Sequence, residues 1–118
     1  MRRWPSLSEL RAAKWAALAL RDARRELAAG HFSDVSLRPP PRVPMAARRG
    51  VEALLRRKRH SCLEGAIVRQ RWLDAHDVHR DIVIGISWPP EGFVAHAWLE
   101  GEEEPNVGQF SELTRLAQ

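Results

Sequence analysis

At Asp81 the chain changes its hydrophobic rhythm, and the fold has to accommodate both halves. Asp81 to Trp88 reads Asp-Ile-Val-Ile-Gly-Ile-Ser-Trp, short, β-branched and apolar at nearly every position, which predicts a buried strand. Pro89-Pro90-Glu91-Gly92 predicts a turn. Phe93 to Glu100, Phe-Val-Ala-His-Ala-Trp-Leu-Glu, predicts a second strand antiparallel to the first. Alternation places Val94, His96 and Trp98 on one face and Phe93, Ala95, Ala97 and Leu99 on the other.

Upstream the period is helical. Ser6 and Glu9 have capping-box spacing after Trp4-Pro5, and Leu7, Leu10, Trp15, Leu18 and Leu27 supply apolar positions as far as the natural stop at Gly30. Residues 31–41 form a connector ending in Arg38-Pro39-Pro40-Pro41, where consecutive prolines enforce an extended backbone. Pro44 is suited to open a second helix at its first position. Arg56-Arg57-Lys58-Arg59 closes that helix with positive charge at the favoured end. A third helix starts at Cys62, with Leu63, Ala66, Ile67 and Leu73 on its buried side, and fades near Asp74–His76. Gly65, early in it, suggests a close approach of another backbone. Phe110, Leu113 and Leu116 suggest a closing turn of helix. The expected architecture is α+β: helices packed on one side of a small antiparallel sheet, with Cys62 at a helix N-terminus.

A chain of 118 residues suits one domain, read as 1–118 with a helical N-terminal region and linker over 1–43 and a core over 44–118. An apolar content of 44% argues for a globular fold over disorder. The single cysteine excludes an internal disulfide and agrees with a reducing, cytoplasmic setting. Lys14 and then Arg21, Asp22, Arg24 and Arg25 interrupt the first apolar run, leaving no membrane-spanning length and arguing against a membrane partner. The net charge of +4 is uneven: bases lead acids by 15 to 5 up to Arg59, and acids lead by 10 to 4 from His60 onward. A basic half can attract nucleic acid or an acidic peptide. These arginines are interleaved with apolar residues at helical spacing, however, and read first as solvated helix faces.

Ser61-Cys62-Leu63-Glu64-Gly65 carries the chemistry. Ser61 and Glu64 repeat the capping-box spacing, which sets Ser61 at the N-cap and Cys62 at the first helical position. A thiol there meets unpaired backbone N–H groups at the positive end of the helix dipole, and both favour the thiolate. Glu64 opposes this unless its charge is spent on the cap. A lone cysteine is ordinarily an inert packing residue, and a lone histidine in a strand is ordinarily a satisfied core residue. Together, Cys62 and His96 have a role available: an imidazole within hydrogen-bond reach takes the thiol proton and later protonates the leaving amine.

Ser61-Cys62-Leu63-Glu64-Gly65-Ala66, Asp81-Ile82-Val83-Ile84-Gly85-Ile86 and Ala95-His96-Ala97-Trp98-Leu99-Glu100 together resemble the transglutaminase-like cysteine peptidases of lasso-peptide biosynthesis. The resemblance implies a papain-like or transglutaminase-like core and a peptidase, without cofactor, that removes the leader from a ribosomally made precursor. A small leader-binding protein presents that precursor, and an ATP-dependent cyclase then closes the ring. By position, Cys62 is the nucleophile and His96 the general base. The family's third member is an aspartate a short way past its histidine, and no aspartate follows Asp81 here. Asn106 is the preferred substitute and Glu104 the alternative. Trp88, beside Pro89, and Trp98 are candidates for the substrate groove, whereas Trp72 reads as core.

Other constellations have duller readings. His76-x-x-His79 lies among Asp74 and Asp77 and reads as a polar helix end. His60 and Cys62 with His96 lack an evident fourth ligand for zinc, so no metal is expected. Two further readings compete with the peptidase: a non-catalytic scaffold that docks precursor and partners, and a basic nucleic-acid-binding module. The second lacks a recognised motif and an aromatic stacking platform among its arginines.

Overall fold

The computed structural model describes residues 4–87, 94–102 and 111–116. The first helix, α1 (Leu7–Ala28), begins at the expected capping box: Ser6 Oγ accepts from Glu9 N–H at 3.1 Å, and the Glu9 carboxylate accepts from Ser6 N–H at 3.2 Å. It ends at Ala29, after which Gly30 turns the chain with φ +89°.

The buried face of α1 follows the expected apolar positions only in part, at Trp15 and, partly buried, at Leu27. Ala12, Trp15, Ala16, Ala19, Leu20 and Ala23 are buried at helical spacing, while Leu7 and Leu10 are 75% and 53% exposed. Small side chains win because the neighbouring helices lie close. α2 (Arg48–Arg57) comes so near that a Cβ on Gly50 would sit 2.0 Å from the Glu9 carbonyl oxygen. The second helix also starts later than expected. Pro44, extended at φ −60° and ψ 153°, precedes a 3-10 turn over Met45–Ala47, and α2 proper follows.

The third helix, α3 (Cys62–Asp74), is buried on almost every side, through Ala66, Ile67, Val68, Gln70, Trp72 and Leu73. It lies between α1 and the sheet and forms the middle of the core. Trp72 packs on Trp15 with ring centres 5.9 Å apart, so the expected core position of Trp72 is met. The connector is tied back to the helices by Trp15 Nε1, which donates to Arg38 O, and by the Arg38 guanidinium on Asp22.

β1 (Ile82–Ser87) and β2 (Val94–Leu99) pair antiparallel with Ile82 opposite Leu99 and Gly85 opposite His96. The expected closing helix is instead a third strand, β3 (Ser111–Leu116), antiparallel to β1 on its other side, giving the order β2-β1-β3. The reason lies in β1. Its apolar run suits a central strand, whose second row of backbone N–H and C=O groups requires a partner. A six-residue helix, by contrast, would gain too little from its own hydrogen bonds.

Ile82, Ile84, Ala97, Leu99 and Leu116 share the face that meets the helical core. Val83, Gly85, His96, Trp98 and Arg115 share the other. Buried Gln70 joins helix and sheet: its Nε2 donates to Arg80 O just before β1, at 2.9 Å, and to Leu116 O at the end of β3, at 3.2 Å. The architecture is thus α+β, three helices on one side of a small antiparallel sheet.

Candidate active site

The site is built from the N-terminus of α3 upward. Ser61 Oγ accepts from Glu64 N–H at 3.1 Å, and Glu64 Oε1 accepts from Ser61 N–H at 2.8 Å, a complete capping box that fixes Cys62 as the first helical residue. Glu64 is spent twice over, because Arg24 of α1 also donates to its carboxylate at 3.1 Å. Burial pushes the Glu64 carboxyl up. The Arg24 guanidinium and the Ser61 N–H outweigh burial and hold it below the ordinary glutamate range. The carboxylate beside the thiol is therefore an engaged group.

Cys62 is exposed, and its sulfur accepts a hydrogen bond from the Ala97 backbone N–H at 3.3 Å. Strand geometry explains why that donor is available. Glu100 N–H donates to Asp81 O, toward β1, and the N–H groups of successive strand residues point to opposite sides. Ala97 N–H consequently points away from β1, off the outer edge of β2, where the end of α3 meets it. The thiol thus rests against the residue next to His96 in the chain.

The His96 ring leaves β2 from the face opposite the helical core and stacks on Trp98, with ring centres 5.9 Å apart and planes inclined by 22°. The structure therefore brings the Cys62 sulfur to the strand edge at Ala97, the residue that follows His96 in the chain. Asn106, its alternative Glu104, and Trp88 lie outside the described residues.

The competing ligand sets come apart. His60 is turned from the thiol: its ring nitrogens lie 2.9 Å from Ser61 O and 3.0 Å from Leu55 O. Gly65 accommodates that ring, not a second backbone as expected, since a Cβ there would stand 2.7 Å from His60 Cε1. His76 spans Trp72 O and Val43 O at 2.8 and 2.9 Å, and His79 bonds Asp74. These two histidines staple the end of α3 and do not face a common point. Among the described residues no group of three or more histidine, cysteine, aspartate or glutamate side chains is placed to hold a metal ion.

Two residues that position the site escaped sequence reasoning. Arg24 is an arginine among many, and its pairing with Glu64 spans 40 residues of chain. Gln70 is a polar residue on a helix, and only its burial marks it. No described helix is long and apolar enough to cross a membrane.

Neither the curated proteins nor the solved structures contain a match to this chain. The sequence model of the transglutaminase-like superfamily matches residues 7–118, α1 included, and on that match the chain belongs to the transglutaminase-like superfamily.

Proposed function

We propose that the protein is a cysteine peptidase that removes the leader from a ribosomally synthesised lasso precursor peptide. It would act with a leader-binding partner, before an ATP-dependent cyclase closes the ring. The observation that carries this reading is the Cys62 sulfur at the capped start of α3, accepting from the N–H of Ala97, the residue after His96 in the chain. Superfamily membership supports thiol-based acyl chemistry, and the motifs around Cys62, Ile82–Ile86 and His96 support the leader peptidase within it.

In this reading the Cys62 sulfur attacks the scissile carbonyl while the His96 imidazole takes the thiol proton. The tetrahedral oxyanion is received by the Cys62 backbone N–H, which lies outside the helix ladder. The imidazolium protonates the leaving amine as the C–N bond breaks. Water, deprotonated by the imidazole, then cleaves the thioester and restores the thiol. An amine in place of that water would make the same protein an acyl transferase.

Intact mass spectrometry of a precursor peptide incubated with the leader-binding partner and this protein, wild type beside Cys62→Ala, tests the reading. A single cut made by the wild type and lost in the variant is expected. Cleavage retained in Cys62→Ala overturns the nucleophile assignment. No cut by folded wild type with the partner present replaces the peptidase with a docking scaffold.

A further inference from the structure

Beside the N-terminal end of α1, a groove of about 1090 Å³ lies between α1 and α2. Its apolar lining includes Trp4, Leu10, Ala13 and Leu54, and Arg56 and Arg57 stand on its rim. Trp4 is 90% exposed and Leu10 is 53% exposed, with exposed Leu7 between them in the chain. These are three of the four large hydrophobic side chains left open among the described residues. A surface seldom concentrates such side chains without a partner.

The charge on the groove is as uneven as its polarity. Its two carboxylates are already engaged: Glu52 by Arg48 and Arg69, Glu9 by the Ser6 N–H with Arg49 nearby. Arg56 and Arg57 are exposed at the end of α2 and make no ion pair with any described residue. An exposed tryptophan and two uncommitted guanidinium groups around an apolar floor are the side chains that most often anchor a protein interface. The floor asks for apolar side chains and the rim for carboxylates.

We infer that this groove docks an acidic, amphipathic peptide segment of a partner protein, with leucine-like side chains on the floor and carboxylates on Arg56 and Arg57. The inference stands apart from the peptidase reading, because no residue of the groove belongs to the candidate active site. A nucleic acid would satisfy the rim and leave the apolar floor unused.

Fluorescence anisotropy of a fluorescein-labelled synthetic peptide of glutamates and leucines, titrated with the full chain, tests it. Saturable binding is expected, weakened by added salt and weakened at least about tenfold by the pair Arg56→Glu and Arg57→Glu. Leu10→Ser should weaken it severalfold. All three side chains are exposed, so circular dichroism should find the variants folded. Binding that tolerates these substitutions, equal binding of a lysine-leucine peptide, or preference for a labelled oligothymidylate over the acidic peptide would each overturn the inference. So would a dimer, seen by sedimentation, that dissociates in the Arg56→Glu, Arg57→Glu variant, since the groove would then belong to a second copy.

Discussion

Ser61 and Glu64 exchange hydrogen bonds, and that local exchange places the thiol. It was legible because a capping box is written in four consecutive residues and needs no knowledge of the rest of the chain. The partner of the thiol was less legible. Strand alternation separates His96 from Ala97 correctly, but only the packing of α3 on β2 reveals that the sulfur takes the Ala97 N–H. In the proposed mechanism His96→Ala should reduce leader cleavage almost as severely as Cys62→Ala, by several orders of magnitude. Asn106→Ala should be milder, since an amide orients the imidazole without adding charge. Single-turnover cleavage rates of the three variants check this order. A larger loss in Glu104→Ala than in Asn106→Ala would transfer the orienting role to the glutamate.

Elements were read well where a single segment determines them and poorly where a neighbour does. The starts of α1 and α3 and the pairing of β1 with β2 follow from caps and alternation. The third strand does not, because Ser111–Leu116 becomes a strand by completing the second side of β1. Nor does the packing face of α1, where alanines face the core and Leu7 and Leu10 face out. Gly50 supplies a test of that close packing. In an exposed helix, glycine to alanine stabilises by about 1 kcal/mol through propensity alone. Here the added Cβ would fall 2.0 Å from the Glu9 carbonyl oxygen, so α1 and α2 must move apart. Gly50→Ala is expected to destabilise by roughly 1–3 kcal/mol or more. For a domain of this size that lowers the melting temperature by several degrees. A melting temperature at or above that of the wild type would show that the helices separate without cost.

For the molecule as a whole, a few engaged carboxylates hold the layers together. Glu64 joins α3 to α1 through Arg24, Glu52 joins α2 to α3 through Arg69, and Asp22 joins α1 to the connector through Arg38. Burial raises Glu52, but Arg69 and Arg48 reverse it, and Glu64 behaves alike with Arg24. Asp22 is held low chiefly by its hydrogen bond from Arg38. A carboxyl whose pKa is lower in the folded than in the unfolded chain stabilises the fold above the unfolded value. That contribution is lost as pH falls through the folded value. With ordinary values of 4.5 for the glutamates and 3.8 for the aspartate, these three contribute fully at neutral pH and fade below about pH 4.5. Urea midpoints of wild type and of Glu52→Gln with Glu64→Gln should therefore differ at neutral pH and converge in acid. A gap that persists unchanged down to about pH 3 would contradict the assignment.

The outer strand of a sheet is also a hazard, because its outward N–H and C=O groups form a template to which a foreign strand can add, the first step of polymerisation. Among the described strands β2 is such an edge, and the outward N–H at its middle is occupied by the Cys62 sulfur. A strand adding to β2 at Ala97 would have to displace the end of α3, which Glu64 through Arg24, and Gln70 further along, hold to the rest of the fold. The helix end that presents the thiol thus also closes this edge of the sheet to strand addition.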